Sequence, residues 1–130
     1  MISGEAFVLE FPAEAQHVGT ARSFASALVR QLGGADEMVE DVKLAVSEAC
    51  TDTVVSLGGR GAMQVRGYPG SVGLRLEIDA PGRFEELQGD GPGSAVSSAA
   101  RLELIRSLFP DADLAEGADG PILRFTVPLG

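Results

Sequence analysis

The spacing of apolar positions changes several times along the chain, and each spacing predicts one kind of element. Residues 6–11 form a short β-type run that Pro12 stops. From residue 18 the apolar positions step by three and four, which predicts an amphipathic helix. Its buried stripe comprises Val18, Ala21, Phe24, Ala25, Leu28, Val29 and Leu32. Gly33-Gly34 ends the helix, because glycine readily adopts the backbone conformation of a helix C-terminus.

A second helix is predicted immediately after these glycines. Asp36 can cap it, and the next acids place further negative charge in its first turns, where the helix dipole favours them. Those acids are Glu37, Glu40 and Asp41, and the predicted buried stripe is Met38, Val42, Ala45, Ala49 and Thr53. The helix is expected to end near Leu57-Gly58-Gly59.

Strict alternation of apolar and polar positions follows, which is typical of half-buried β-strands. The apolar phase is Met63, Val65 and Gly67 in the first run and Val72, Leu74, Leu76 and Ile78 in the second. The other phase is Ala62, Gln64 and Arg66, then Gly73, Arg75, Glu77 and Asp79. Because Tyr68-Pro69-Gly70-Ser71 separates the two runs, they predict a β-hairpin with one apolar face.

The rest of the pattern completes an α+β order of elements. Residues 80–98 hold glycines, prolines and acids with little periodicity, which predicts a long loop that either forms a lid or lacks order. Helical spacing returns at 99–109, Pro110 breaks it, and β-type runs follow at 113–116 and 122–127. Since strands group in hairpins without regular βαβ alternation, we expect one domain over residues 1–130. Its class is an α+β two-layer sandwich, with a mixed or antiparallel sheet covered on one face by helices.

Charge and composition narrow the classes of partner. Ten basic and nineteen acidic side chains give a net charge of −9, which argues against direct binding to nucleic acid or to an anionic membrane surface. No apolar run has the length of a membrane span, and residues 1–5 lack the basic start of a signal peptide, so a cytoplasmic location is expected. The single cysteine, Cys50, lies in an apolar helical run and is expected to act as a small buried hydrophobe.

Two carboxylates in the second helix form the most informative local pattern. Glu48 and Asp52 lie four residues apart, hence on one face of an otherwise apolar helix. Like charges at this spacing repel, so either the pair lies on a solvated face or a cation lies between the two carboxylates. The residues alone leave both interpretations open.

Three segments together resemble the anti-sigma-factor serine-protein kinases of bacteria, which belong to the GHKL ATPase superfamily. The segments are Phe11-Pro12-Ala13, Leu44-Ala45-Val46-Ser47-Glu48-Ala49-Cys50-Thr51-Asp52 and Leu102-Glu103-Leu104-Ile105-Arg106. The resemblance implies a Bergerat-type, histidine-kinase-like ATPase fold that binds ATP and Mg²⁺. It implies that Glu48 is the catalytic base toward a serine hydroxyl of a partner protein. Asp52 takes the position of an Asn that holds magnesium, a ligand role a carboxylate can also fill.

Other motifs of that family are altered in this chain. The family pattern Asp-x-Gly-x-Gly reads here Asp79-Ala80-Pro81-Gly82-Arg83: Asp79 would contact adenine, but Pro81 and Arg83 replace the glycines. The glycine-rich phosphate turn is replaced by Ala99-Ala100-Arg101, where the Arg101 side chain could still contact phosphate. A Thr that helps to bind adenine is replaced by Pro121 or Ile122. The resemblance therefore implies that binding of ATP and Mg²⁺ is weakened or lost.

Three functions remain open on this basis. The first is an anti-sigma-type regulator that sequesters a sigma factor, with an anti-sigma factor antagonist competing for the same surface in a partner switch. The second is an active ATP-dependent serine-protein kinase that phosphorylates the antagonist, using Glu48, Asp52 and Asp79. The third is a structural or dimerisation module without a sigma partner. Homodimer formation is implied by the resemblance only.

Overall fold

The structure, a computed structural model, describes residues 6–57, 61–79, 100, 102–117 and 120–129, without the side chains of residues 52, 55–57, 116–117 and 120–121. Its strands are β1 (Phe7–Pro12), β2 (Ala62–Gly70), β3 (Gly73–Asp79), β4 (Asp113–Gly117) and β5 (Gly120–Val127). Its helices are a 3₁₀ turn (Ala15–His17), α1 (Val18–Gln31), α2 (Asp36–Leu57) and α3, which covers residues 102–108. This order confirms the predicted one, while the predicted loop at 80–98 lies outside the described residues.

The five described strands form one sheet in the order β1-β2-β3-β5-β4. All four strand pairings are antiparallel, with Phe11 opposite Met63, Val65 opposite Ile78 and Leu76 opposite Phe125. The described sheet is therefore antiparallel and not mixed. Since helices α1 and α2 pack on one face of it, the predicted α+β two-layer class is confirmed.

The predicted hairpin of β2 and β3 is present, but its turn is shorter than the sequence suggests. β2 continues through Pro69 and Gly70, so the turn consists of Ser71 and Val72, and Val72 is 80% exposed. Pro69 is tolerated inside a strand because β1 reaches β2 only as far as Gly67. The missing N–H of Pro69 therefore breaks no hydrogen bond to β1.

The core lies between the helices and the apolar phase of the sheet. Met63, Val65, Leu74 and Leu76 are fully buried, and Ile78 is 2% exposed. The sheet approaches α1 closely at Gly67, where an added Cβ would lie 2.9 Å from Cδ1 of Leu28. The glycine thus permits the close packing of β2 against α1. Phe109 and Phe125 stack with ring centroids 4.8 Å apart and fill the end of the core near α3.

Glycines set the sharp turn between α1 and α2. Gly33 has a φ of +87°, and its N–H donates to the carbonyl of Arg30 at 3.1 Å. The N–H of Gly34 donates to the carbonyl of Val29 at 2.8 Å, which completes a Schellman motif. The predicted end of α1 is therefore confirmed. Asp36, predicted as the cap of α2, is instead its first helical residue, because the carbonyl of Ala35 accepts the first N–H groups.

Helix α2 buries a broader stripe than the one predicted. Val39, Val42, Ala45, Val46, Ala49, Cys50 and Val54 are buried, whereas Met38 and Thr53 are half-buried. The Thr53 hydroxyl donates to the carbonyl of Ala49 at 3.0 Å, which satisfies it without a partner from the sheet. Among the described residues, no helix combines the length and the apolar character needed to cross a membrane.

Candidate functional site

Glu48 lies in the middle of α2, on the helical layer of the fold. Its side chain is half-buried, whereas its neighbours in the helix Val46 and Ala49 are buried. Next to it, the Ser47 hydroxyl accepts a hydrogen bond from Nη1 of Arg22 on α1 at 3.2 Å. This bond links α1 to α2 beside Glu48, and the burial of Val46 and Ala49 holds the same stretch of α2 against the core.

Two of the predicted site residues cannot be placed at the level of side chains. Asp52 continues α2 one turn beyond Glu48, but its side chain lies outside the described residues, and so does the whole of Arg101. The roles of Asp52 in metal binding and of Arg101 in phosphate binding stay predictions. Within the described part of the chain, no group of three or more His, Cys, Asp or Glu side chains could hold a metal ion.

Asp79, the predicted adenine contact, is the last residue of β3 and lies on the sheet face opposite the helices. Leu74, Leu76 and Ile78 face the helices and are at most 2% exposed. Because side chains alternate along a strand, Asp79 belongs with Arg75 and Glu77 on the other face. Its carboxylate confirms this by accepting a hydrogen bond from Nη1 of Arg66 at 2.8 Å.

A row of polar side chains crosses this open face from β1 to β3, and we call it the open-face ladder. Its members are Glu10, Gln64, Arg66, Arg75, Glu77 and Asp79. Gln64 donates to Glu10 at 2.8 Å and accepts from Arg66 at 2.9 Å. Arg66 also pairs with Glu77 at 3.3 Å, and Glu77 pairs with Arg75 at 3.2 Å. Arg66 is thus the cation that joins two carboxylates of β3.

The centre of the ladder is shielded although it faces away from the helices. The side chains of Arg66, Glu77 and Asp79 are only 15%, 13% and 12% exposed. Desolvation lowers the pKa of Arg66, but hydrogen bonds and charge attraction from Asp79, with hydrogen bonds to Glu77 and Tyr68, outweigh it, and the pKa is raised. Arg66 therefore stays charged, because its partners offset the cost of partly removing the guanidinium from water.

Sequence reasoning missed Arg66 as a partner of Asp79. The two residues are 13 positions apart and meet only because Gln64 pairs with Asp79 and Arg66 with Glu77 across the hairpin. A signal did exist, since the alternation in both runs assigns Arg66 and Asp79 to the same polar phase of the predicted hairpin. The structure thus separates the predicted set, with Glu48 on the helical layer and the Asp79 carboxylate on the opposite face of the sheet.

Cys50 behaves as the sequence predicts. It is a free thiol, fully buried in α2 two residues after Glu48. Burial raises its pKa to about 12 because the thiolate would lose its hydration. A thiol held neutral in this way is a poor nucleophile at neutral pH, which fits the role of a small hydrophobe.

Comparison with known families and proteins places this geometry in context. The family model of the histidine kinase-like ATPase domain matches residues 11–127, which includes β1 from Phe11, all three helices and the rest of the sheet. The serine-protein kinase RsbW of Halalkalibacterium halodurans is 31% identical over 125 residues, covering 95% of this chain and 72% of that protein. RsbW of Bacillus velezensis is 41% identical over 46 residues, covering 35% of this chain and 29% of that protein.

Proposed function

This chain belongs to the histidine kinase-like ATPase family, among the anti-sigma serine-protein kinases, and we propose that it is a regulatory binding protein in which ATP binding is weakened or lost. It sequesters a sigma factor, and an anti-sigma factor antagonist competes for it in a partner switch. The complex acts through protein contacts in the cytoplasm, without direct binding to nucleic acid or membrane. By the same family resemblance, we infer that the chain pairs as a homodimer.

The contrast between an intact scaffold and altered ligand motifs carries this proposal. The family match spans residues 11–127 and the two-layer core is closely packed, so the surface that a protein partner needs is supported. In the sequence, Pro81 and Arg83 replace glycines that would let the backbone approach a nucleotide, and Ala99-Ala100-Arg101 replaces a glycine-rich phosphate turn. Proline offers no N–H to a phosphate, and a long side chain fills the space that glycine leaves.

A binding experiment without nucleotide tests the proposal. The tagged chain is used to capture proteins from its native cells in buffer with EDTA and, in parallel, with Mg-ATP. We expect a sigma factor in both samples in similar amounts, because binding does not depend on the nucleotide. Capture that occurs only with Mg-ATP would contradict the weakened site, and failure to recover a sigma factor under either condition would support a structural or dimerisation module.

The active serine-protein kinase is the second candidate, favoured by the 31% identity to the serine-protein kinase RsbW of Halalkalibacterium halodurans and by the presence of Glu48 on α2. In this case the Glu48 carboxylate would take the proton from the serine hydroxyl of the antagonist. Its half-buried position beside the Arg22–Ser47 bond would hold it in place.

Phosphate transfer separates this candidate from the first. With labelled ATP, Mg²⁺ and the cognate antagonist, the kinase predicts labelling that Glu48→Ala abolishes. The control is Glu40→Ala, which removes an exposed acid of the same helix that pairs with Lys43 in an i,i+3 contact. Absence of label with the wild-type chain and its cognate antagonist eliminates the kinase.

A further inference from the structure

The two faces of β3 carry different kinds of side chain, apolar on the helical face and charged on the open face. The apolar phase, Leu74, Leu76 and Ile78, lies beneath α1 and α2, whereas Asp79 lies on the far side of the sheet with Arg66.

A nucleotide bound as the family implies does not fit the position of Asp79. The resemblance implies that the phosphates bind at α2, which carries Glu48 and Asp52 on the helical side of the sheet. The base is joined to those phosphates through the ribose, so it would lie on the same side. The Asp79 carboxylate instead points to the open face and bonds Arg66 at 2.8 Å. The sheet separates the Asp79 carboxylate from a base on the helical side, and the buried side chains of Met63, Val65 and Ile78 fill that side of the sheet.

We propose that Arg66 holds Asp79 in the open-face ladder, and that Asp79 is consequently a structural residue of the sheet that takes no part in recognising adenine. The inference deepens the proposed function and rests on it, since it names the base-reading contact as the part of the site that is lost. If a nucleotide binds at α2, the Asp79 carboxylate does not help to select adenine over another base.

The Asp79 carboxylate cannot pair with Arg66 on the open face and contact a base on the helical face at the same time. Its side chain is 12% exposed and the side chain of Arg66 is 15% exposed. Turning the Asp79 carboxylate toward a base would leave the shielded guanidinium with Glu77 as its remaining carboxylate partner. Breaking a charge pair in such a shielded place is costly, which fixes the direction of the side chain.

A double-mutant cycle measures the structural half of this inference. Urea unfolding is compared for the wild-type chain, Asp79→Asn, Arg66→Gln and the double variant. We expect Asp79→Asn to raise the unfolding equilibrium constant about tenfold or more in the wild-type background, and several-fold less in the Arg66→Gln background. Additive effects would overturn the assignment of Asp79 to the ladder. The control pair is Arg124 with Asp113, which is 42% and 45% exposed and should show much smaller coupling.

Thermal shifts with two nucleotides measure the functional half. Saturating Mg-ATP and Mg-GTP are added separately to the wild-type chain, to Asp79→Asn and to the control Asp113→Asn. We expect the ATP and GTP shifts of each protein to be equal, including the case in which both are zero. An excess for ATP that Asp79→Asn removes, while Asp113→Asn keeps it, would overturn the inference.

A third outcome separates this inference from the proposed function. A large ATP shift that exceeds the GTP shift and persists in Asp79→Asn would mean that the nucleotide site works and that residues other than Asp79 select adenine. That result would contradict the weakened ATP binding of the proposed function. It would support the placement of Asp79 outside the site.

Discussion

The two faces of the sheet use the same strands for opposite purposes. On the helical face, β2 and β3 present side chains such as Met63, Val65 and Leu76, all fully buried. On the open face the same strands present Arg66, whose partners Glu77 and Asp79 are held at hydrogen-bond distance. The helical face is stabilised by burial of apolar surface, an effect that does not depend on the orientation of the groups. The open face is stabilised by charge pairs, whose strength depends on the distance and angle between the partners.

The difference between the two faces also bears on where the candidate site residues lie. The helical face is closely packed, and its candidate for chemistry, Glu48, is carried by α2 and not by the sheet. The open face has satisfied polar groups, and the described residues include no buried side-chain nitrogen or oxygen without a hydrogen bond. An acid at a motif position can therefore belong to a different face from the site it is expected to serve.

The largest effect is expected from removing a core aromatic ring of the helical face. Phe125→Ala deletes a ring that is 1% exposed and stacked on Phe109, and we expect a loss of about 3–5 kcal/mol in the free energy of unfolding. Urea denaturation measures this loss. Phe7→Ala, at a ring that is 45% exposed, is the control and should cost less than about 1 kcal/mol. Equal losses would mean that the core is not where the structure puts it.

The next effect tests the open face. Arg66→Met keeps an unbranched apolar stem but leaves the shielded carboxylates of Glu77 and Asp79 without their shared cation. We expect a loss of about 2–4 kcal/mol, somewhat less than for a fully buried pair because these groups keep some contact with water. The same denaturation series measures it. A loss below about 0.5 kcal/mol would show that the ladder is only a surface feature.

A pH series tests the burial of Cys50 on the helical side. Its pKa is raised from 9.0 to about 12, so the unfolded chain releases the proton above pH 9 while the folded chain keeps it. The stabilisation from the neutral thiol is therefore complete below pH 9 and is lost as pH rises toward 12, by at most about 1.4 kcal/mol per pH unit. Urea midpoints of wild type and Cys50→Ala should thus converge as pH rises from 8.5 to about 10.5. Parallel curves would place the thiol in water.

The smallest effect is expected at the exposed end of the ladder. Arg75 is 50% exposed, pairs with Glu77 at 3.2 Å and lies 5.4 Å from the ring centre of Tyr68. Arg75→Met should cost less than about 1 kcal/mol, since exposed ion pairs and cation–π contacts contribute little in water. Denaturation in low and high salt measures it. A cost equal to that of Arg66→Met would remove the distinction between the centre and the end of the ladder.

The fold could be predicted from the sequence because each element carries its own period. Steps of three and four in α1 and alternation in β2 and β3 are local patterns, and burial follows them closely. The sequence does not predict that the turn is confined to Ser71 and Val72, because Pro69-Gly70 is itself a strong local turn signal. In the structure these two residues belong to β2, and β1 pairs with β2 only as far as Gly67. That position is set by tertiary structure.

The candidate site was less predictable, for a physical reason. Glu48 follows from a motif within one helix, whereas the partner of Asp79 depends on the register of two strands. A motif comparison fixes the residue type at a position but not the face toward which it points. The alternation of residues 72–79 already assigned Asp79 to the polar phase, and the structure shows that this phase faces away from α2.

Isothermal titration of the wild-type chain with Mg-ATP tests the central claim most directly, namely that the chain keeps the family scaffold while its nucleotide site is weakened. The account predicts no binding heat at micromolar ATP, and identical traces for ATP and GTP at higher concentrations. Micromolar binding of Mg-ATP would contradict it, whether or not Asp79→Asn changes that binding.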